Sequence, residues 1–446
     1  MTGLTGALTG SANGGPKGVV SSGRRPTLLA ALGGAVWSLE QAVEDLLVGW
    51  TPNKIPDLSG RLALVTGGNS GIGLEIVRKL AENCATVLMV TRDTWGRGGW
   101  TGGSRERGEA AAEQVRSGLG PGCPGRVEVL VADLISLKEV DSLISQVRKR
   151  VAEHNKGAPS GGRGGKQAAA AGEAPGAFIP GLSMLCCNAA LFQPGGHAVS
   201  PDGIEQTLAV DYFSHVALTL GLLDELEQAA PFARIVWQSS QAEQFGSLDL
   251  ADLKGARFTD SGMAPYGAAK LWALMFCDEL QRRLRARGGR AAQVEVFGVH
   301  PGLVDSPLMD KADTQRHWNA ALIVLQASGN CVLGMPTWRG ALPALYSLTE
   351  PKLTGRGFSY FGPSWTNTHM LGQRSPGNSL WRTGGEELRC RLFDASVAML
   401  EELGHGPKHV PKPAPATYAA THTGVSGGTE AAAAAAKGAA AAVAAH

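Results

Sequence analysis

Residues 61–73 read RLALVTGGNSGIG: an apolar run, a glycine-rich turn and the opening of a helical pattern. The turn is Thr66-Gly67-Gly68-Asn69-Ser70-Gly71-Ile72-Gly73, with glycines spaced G-x-x-x-G-x-G. Gly67 and Gly71 let the backbone turn tightly and approach a ligand closely, and Gly73 lets the new helix pack against the strand. A helix starting there presents unpaired N–H groups and the positive end of its dipole, which suits a diphosphate. A glycine-rich turn alone is weak evidence. Its place between a strand and a helix is the context that gives it meaning.

Outward from this stretch, short apolar runs alternate with helical patterns. Further strands are expected at 86–91 (TVLMVT), 126–132 (RVEVLVA), 183–188 (SMLCCN), 233–239 (ARIVWQS) and 293–299 (QVEVFGV). Helices are expected at 72–82, 109–117, 137–153, 204–227 and 266–285. Such alternation predicts an α/β fold: a doubly wound parallel sheet with helices on both faces, in the strand order 3-2-1-4-5-6-7. Two glycine-rich insertions, 94–108 and 155–177, read as surface loops.

The second strand ends in Thr91-Arg92-Asp93. An acid at this strand end binds a ribose 2′-hydroxyl, whereas an arginine suits a 2′-phosphate. Thr91 followed by Arg92 therefore favours NADP(H), with NAD(H) through Asp93 as the alternative. Further along, Tyr266-Gly-Ala-Ala-Lys270 places a phenol and an ammonium on one helix face. The ammonium favours the phenolate and lowers the phenol's pKa. That phenol then exchanges a proton with a carbonyl or alcohol oxygen. Ser239-Ser240, at the end of the fifth strand, supplies a hydroxyl for the same oxygen.

These motifs resemble the short-chain dehydrogenase/reductase family, in its retinol-dehydrogenase-like and WW-domain-oxidoreductase-like branch. The resemblance covers about residues 58–403 and rests on TGGNSGIG (66–73), Asp133-Leu134, CNAA (187–190), IVWQSS (235–240), YGAAK (266–270) and VHPGLVDS (299–306). It implies a Rossmann fold and hydride transfer between a nicotinamide and a small, lipophilic alcohol or carbonyl. By the same resemblance Tyr266 is the general acid/base. Lys270 lowers its pKa and holds the nicotinamide ribose, and Ser240 polarises the carbonyl. The adenine faces Asp133, with Leu134 beside it. Asn188 and Ala189 lie along the cofactor, and Pro301, Gly302, Val304 and Ser306 shape the carboxamide pocket.

The chain departs from the family in two places. Cys187-Asn188-Ala189-Ala190 stands for the usual Asn-Asn-Ala-Gly, so Ala190 adds a methyl near the cofactor. Asp211 stands where an Asn helps hold a water near the catalytic lysine. Either its carboxylate attracts Lys270, or it bonds only to local backbone N–H groups as an Asn oxygen would; the second is favoured. Asp211 and the insertions also keep open a second function, a regulatory or scaffold protein that senses NADP(H) without turnover.

Composition narrows the field further. The chain has 446 residues, 43% hydrophobic, and a net charge of +2. Mean hydropathy of −0.03 excludes a polytopic membrane protein, and the charge does not suit a nucleic-acid binder. Seven cysteines without a CxxC read as free thiols in a reducing, intracellular setting. No metal is expected, and His215 and His300 are read as structural. The aromatic stretch Trp338, Phe358, Tyr360, Phe361, Trp365 and Trp381 reads as core and pocket lining. Residues 1–39 lack acid and carry Lys17, Arg24 and Arg25, as a plastid or mitochondrial transit segment or a disordered tail would. The stripe Leu28, Leu32, Val36, Leu39, Val43, Leu47, Trp50 reads as an amphipathic helix. Docking on the main domain is favoured over a membrane surface, because its polar face is acidic. The expected organisation is a leader with this helix (1–57), a catalytic domain (58–404) and a low-complexity tail (405–446).

Overall fold

A computed structural model describes residues 50–92, 104–157, 177–192, 196–259, 262–302, 304, 335–363 and 372–413. Residues 1–49, which hold most of the leader and of the amphipathic stripe, lie outside the described residues, as do Asp93, Ser306, Trp365 and residues 414–446. Eight strands form one sheet: β1 (Leu62–Thr66), β2 (Thr86–Thr91), β3 (Arg126–Val131), β4 (Met184–Cys187), β5 (Arg234–Gln238), β6 (Glu295–Val299), β7 (Ser359–Gly362) and β8 (Gly372–Arg374). Their order is 3-2-1-4-5-6-7-8. The first seven are parallel, and β8 adds an antiparallel edge beyond the expected order. β7 falls on the aromatic stretch read as core and pocket lining; Tyr360 and Phe361 are buried in the strand itself, on the core side of that reading.

Alternation along the strands builds two cores. Ala63, Val65, Val87 and Met89 face one layer, formed by α1 (Gly71–Glu82), α2 (Ser104–Ser117) and α7 (Thr337–Thr349). Leu62, Leu64, Leu88 and Val90 face the other. That layer holds α3 (Leu137–Lys156), α4 (Ser214–Gly221), α5 (Leu223–Ala229), α6 (Met263–Arg287) and α8 (Gly385–Glu402). Because both faces are covered, the strands are apolar throughout rather than alternating.

Four expectations need correction. The helix expected over 109–117 begins at Ser104, so part of the first insertion is helical. Gly108 suits this: a Cβ there would lie 2.8 Å from Thr91 Cγ2 on β2. The single helix expected over 204–227 is broken into Gln206–Leu208, a π-helical turn Ala209–Phe213, α4 and α5. Ser214 Oγ takes the Val210 carbonyl (2.7 Å) and Arg148 takes that of Gly221 (2.6 Å), so side chains capture groups a continuous helix would pair. Helix α6 opens at Met263, not Tyr266, which sets Tyr266 and Lys270 both inside it. Finally, residues 405–413 are not loose tail. His405 pairs with Asp141 (2.6 Å), His409 with Asp224 (2.9 Å), and Arg283 donates to the Pro411 carbonyl (3.2 Å).

Candidate active site

The carboxyl ends of β1 to β4 open onto a cleft of about 210 Å³. Its lining includes Gly67, Asn69, Ser70, Gly71, Ile72, Gly73, Arg92, Asp133, Leu134, Asn188 and Ala189, all singled out from the sequence. Val90, Ala132, Ala190 and Val210 complete it. The glycine turn is held from beneath. Gly67 and Gly71 have φ of 65° and 56°, in the left-handed region, and a Cβ on Gly73 would sit 2.2 Å from the Gly67 carbonyl oxygen. Asn188 Nδ2 donates to the Thr66 carbonyl (2.9 Å) and that of Gly67 (3.4 Å).

Thr66 is the hub under this turn. Its hydroxyl oxygen accepts from the backbone N–H groups of Asn188 and Ala189, both at 2.9 Å. With both lone pairs taken, its proton is left for His215 Nε2 at 3.0 Å, with the Cys186 carbonyl the more distant acceptor at 3.4 Å. That makes His215 a neutral ring with Nε2 as acceptor, and its other nitrogen bonds the Asp211 backbone. Burial, with the Lys270 charge adding to it, pushes the His215 pKa down to about 3. His300 is also buried, against the Tyr360 ring at 5.3 Å, and Gly302 N–H donates to its Nδ1 (3.3 Å). Among the described residues no cluster of His, Cys, Asp or Glu is placed to hold a metal.

The titratable group lies beyond the cleft's Ala190 and Val210 wall. The π-helical turn points Asp211 inward: Oδ1 accepts from Leu191 N–H (2.6 Å), and Oδ2 lies 2.8 Å from Lys270 Nζ. Both side chains are buried. The favoured expectation, that Asp211 bonds only to local backbone, is therefore incomplete. Its first oxygen does what an Asn oxygen would do, and its second forms a buried ion pair with Lys270. Lys270 also donates to the Gln238 carbonyl (3.3 Å), and its Nζ lies 5.3 Å from the Tyr266 ring centroid. Phe192 packs edge-on against the same ring at 5.1 Å. Ser240 Oγ accepts from Ala242 N–H (3.2 Å), which leaves its own proton for Tyr266.

These charges set the proton chemistry. Burial penalises the Lys270 ammonium, but Asp211 and Tyr266 outweigh that and hold its pKa above the usual lysine value. The spacing of Tyr266 and Lys270 on one helix face predicts a lowered Tyr266 pKa. In the structure it is raised: burial is the largest cause, Asp211 adds to it, and Lys270 and Ser240 pull the other way without prevailing. Pro301 and Gly302 follow β6, and Val304 is buried and bridged to Met335. Sequence reasoning missed Thr66, Leu191, Phe192 and the Gln238 carbonyl. Only Thr66, at a strand end just before the glycine turn, carried a sequence signal.

A doubly wound sheet with a glycine turn at β1 and a Ser, Tyr and Lys set beside it defines a nucleotide-dependent oxidoreductase. Comparison with known proteins carries this further. A family model described as short chain dehydrogenase matches residues 166–317. Retinol dehydrogenase 11 of Homo sapiens is 28% identical over 291 residues, 65% of this chain and 76% of that protein. The WW domain-containing oxidoreductase of Gallus gallus is 28% identical over 68% of this chain and 62% of that protein. An uncharacterized protein from Mycobacterium paratuberculosis has the same fold, with a TM-score of 0.53, 24% identity, and coverage of 79% of this chain and 97% of that one. These matches support a short-chain dehydrogenase/reductase of the retinol-dehydrogenase-like branch, and with it an alcohol/carbonyl oxidoreductase using NAD(P).

Proposed function

We propose that the chain interconverts a carbonyl and an alcohol on a small lipophilic substrate, with NADP(H) preferred over NAD(H). One observation carries this reading: the cleft wall runs directly into the acid/base group. Ala190 lines the cleft; the next residue, Leu191, bonds Asp211, and the one after, Phe192, packs on Tyr266. The residues present suit a dinucleotide, with a close-approach turn at Gly67 and a helix N-terminus at Gly71. A bound nicotinamide supplies or accepts the hydride at the substrate carbon.

The protein's own residues handle the proton. Tyr266 gives its phenolic proton to the carbonyl oxygen during reduction and takes it back from the hydroxyl during oxidation. Ser240, whose proton faces Tyr266 in the free protein, turns it to that oxygen when substrate binds, where negative charge develops. Lys270 keeps a positive charge beside the phenol, and Asp211 holds Lys270 in its ammonium form. Arg92, exposed at the end of β2 and lining the cleft, meets the 2′-phosphate; Thr91 beside it is buried and carries no charge to oppose one. The preference for an apolar substrate rests on Phe192 at Tyr266 and on two exposed apolar side chains. Phe245 (72% exposed) ends the turn that starts after Ser240, and Met263 (44% exposed) begins the helix of Tyr266.

The test is NADPH oxidation against a panel of aldehydes and ketones graded from short and polar to long and apolar, repeated with NADH. The expected result is turnover that rises with apolar length and is faster with NADPH. Tight NADPH binding with no turnover on any substrate would instead support a nucleotide sensor.

A further inference from the structure

Cys84 and Cys123 lie away from the cleft, at the opposite end of the sheet. Cys84 follows α1 and precedes β2 by one residue; Cys123 lies just before β3. The first rung between those strands pairs Thr86 with Arg126, and Arg126 N–H donates to the Ala85 carbonyl (3.1 Å). The two thiols therefore sit just ahead of a fixed register. Their sulfurs are 3.3 Å apart.

The surroundings hold them there. Cys84 has φ of 75°, a left-handed conformation that costs a side-chain-bearing residue energy. It is fixed by Cys84 N–H to the Ala81 carbonyl (2.9 Å) and Ala85 N–H to that of Leu80 (3.0 Å). Cys123 Sγ reaches the carbonyls of Ala81 (3.4 Å) and Glu82 (3.7 Å). The loop presses this close because Gly125 follows: a Cβ there would lie 2.1 Å from the Ala81 carbonyl oxygen. Both thiols are half-buried, and Gly122 and Pro124 on either side of Cys123 are exposed, so a small reagent has access. By contrast, Cys186, Cys187 and Cys277 are sealed in the core.

The geometry points to Cys84 and Cys123 as a dithiol/disulfide site, oxidised by exchange with a low-molecular-weight disulfide. A disulfide needs sulfurs about 2.05 Å apart. Rotation of two side chains already in contact supplies the approach. In the first step the Cys123 thiolate attacks one sulfur of the reagent; a mixed disulfide forms and one reagent thiolate leaves. In the second, the Cys84 thiolate attacks the Cys123 sulfur, the Cys84–Cys123 bond forms and the second reagent thiolate leaves. Two electrons pass to the reagent, and the two thiol protons end on its two thiols. Burial and the neighbouring thiol hold the Cys84 pKa up, against a hydrogen bond from Ser59. A thiol that is not stabilised as thiolate leaves the reduced form without that advantage, which favours the disulfide at equilibrium.

The test uses the full chain equilibrated with glutathione disulfide, quenched with N-ethylmaleimide and mapped by non-reducing peptide mass spectrometry. The expected species is a Cys84–Cys123 cross-linked peptide lacking two hydrogens, reverted by dithiothreitol. The oxidised protein is expected to melt several degrees higher, since the bond closes a loop spanning 39 positions. Cys123→Ser removes the rise, and Cys84 then carries either N-ethylmaleimide or one glutathione. Recovery of both wild-type thiols as N-ethylmaleimide adducts, a stable glutathione adduct on either, or pairing of either with another cysteine would overturn the proposal.

Discussion

Asp211 makes the proton chemistry of this chain its own. Its carboxylate raises the pKa of both Lys270 and Tyr266. Replacing it by Asn keeps an acceptor for Leu191 N–H and removes the negative charge. The Tyr266 pKa then falls, and the phenolate forms at lower pH. Asp211→Asn is therefore expected to move the rising, acid-side limb of the alcohol-oxidation pH profile down by a unit or more, about 1.4 kcal/mol. An unmoved profile would mean that the ion pair does not act on the phenol. Arg92 answers a separate question. Arg92→Ala is expected to weaken NADPH binding by roughly 1.5–3 kcal/mol and leave NADH nearly unchanged, as titration of both cofactors would show. Equal losses would remove Arg92 from 2′-phosphate recognition. The pairing of Tyr266 with Lys270 was legible because it is a local spacing on one helix. The reach of Asp211 to Lys270 was not, because it joins two distant segments through a π-helical turn that the apolar pattern does not reveal.

At the scale of elements, the glycine turn and its helix act as one piece. Gly73 touches the Gly67 carbonyl so closely that no side chain fits, and Asn188 ties the same turn to β4. Gly73→Ala is expected to push the turn out of place and weaken NADPH binding at least tenfold, about 1.4 kcal/mol, with the far-ultraviolet circular dichroism unchanged. Full affinity in that variant would show that the turn tolerates displacement. Strand β1 and its turn were legible because an apolar run and a glycine pattern coincide there. β7 and β8 were not. The aromatic run Phe358–Phe361 is equally consistent with a pocket wall, and β8 is three residues long with no apolar alternation. The breaks in the helix expected over 204–227 accompany side-chain capture of carbonyls, by Ser214 from four residues along the same segment and by Arg148 of α3, which only the tertiary structure brings within reach.

Across the whole molecule, the sheet order places every cleft-lining strand end on one side and buries a neutral imidazole beneath it. His215 titrates near 6.5 when exposed and is held at about 3 in the fold. Between those values the unfolded chain binds the extra proton, so acid favours unfolding. The stability from neutral His215 is present above about pH 6.5 and is lost as pH falls toward 3. The melting temperature is expected to drop between pH 7 and 4.5, and to drop less steeply in His215→Gln; identical slopes would contradict a buried neutral ring. Strand order was legible from the alternation of strands and helices, whereas the packing of residues 405–413 back onto the domain depends on hydrogen bonds formed only in the fold. The proposed NADP(H)-dependent reaction stands on Tyr266 as the group that moves the proton. Its most direct test is NADPH affinity and NADPH-oxidation turnover, measured side by side in the wild type and Tyr266→Phe with one apolar aldehyde. Equal affinity is expected, with turnover lowered at least about 100-fold; turnover near the wild-type rate in the variant would remove Tyr266 from the proton transfer.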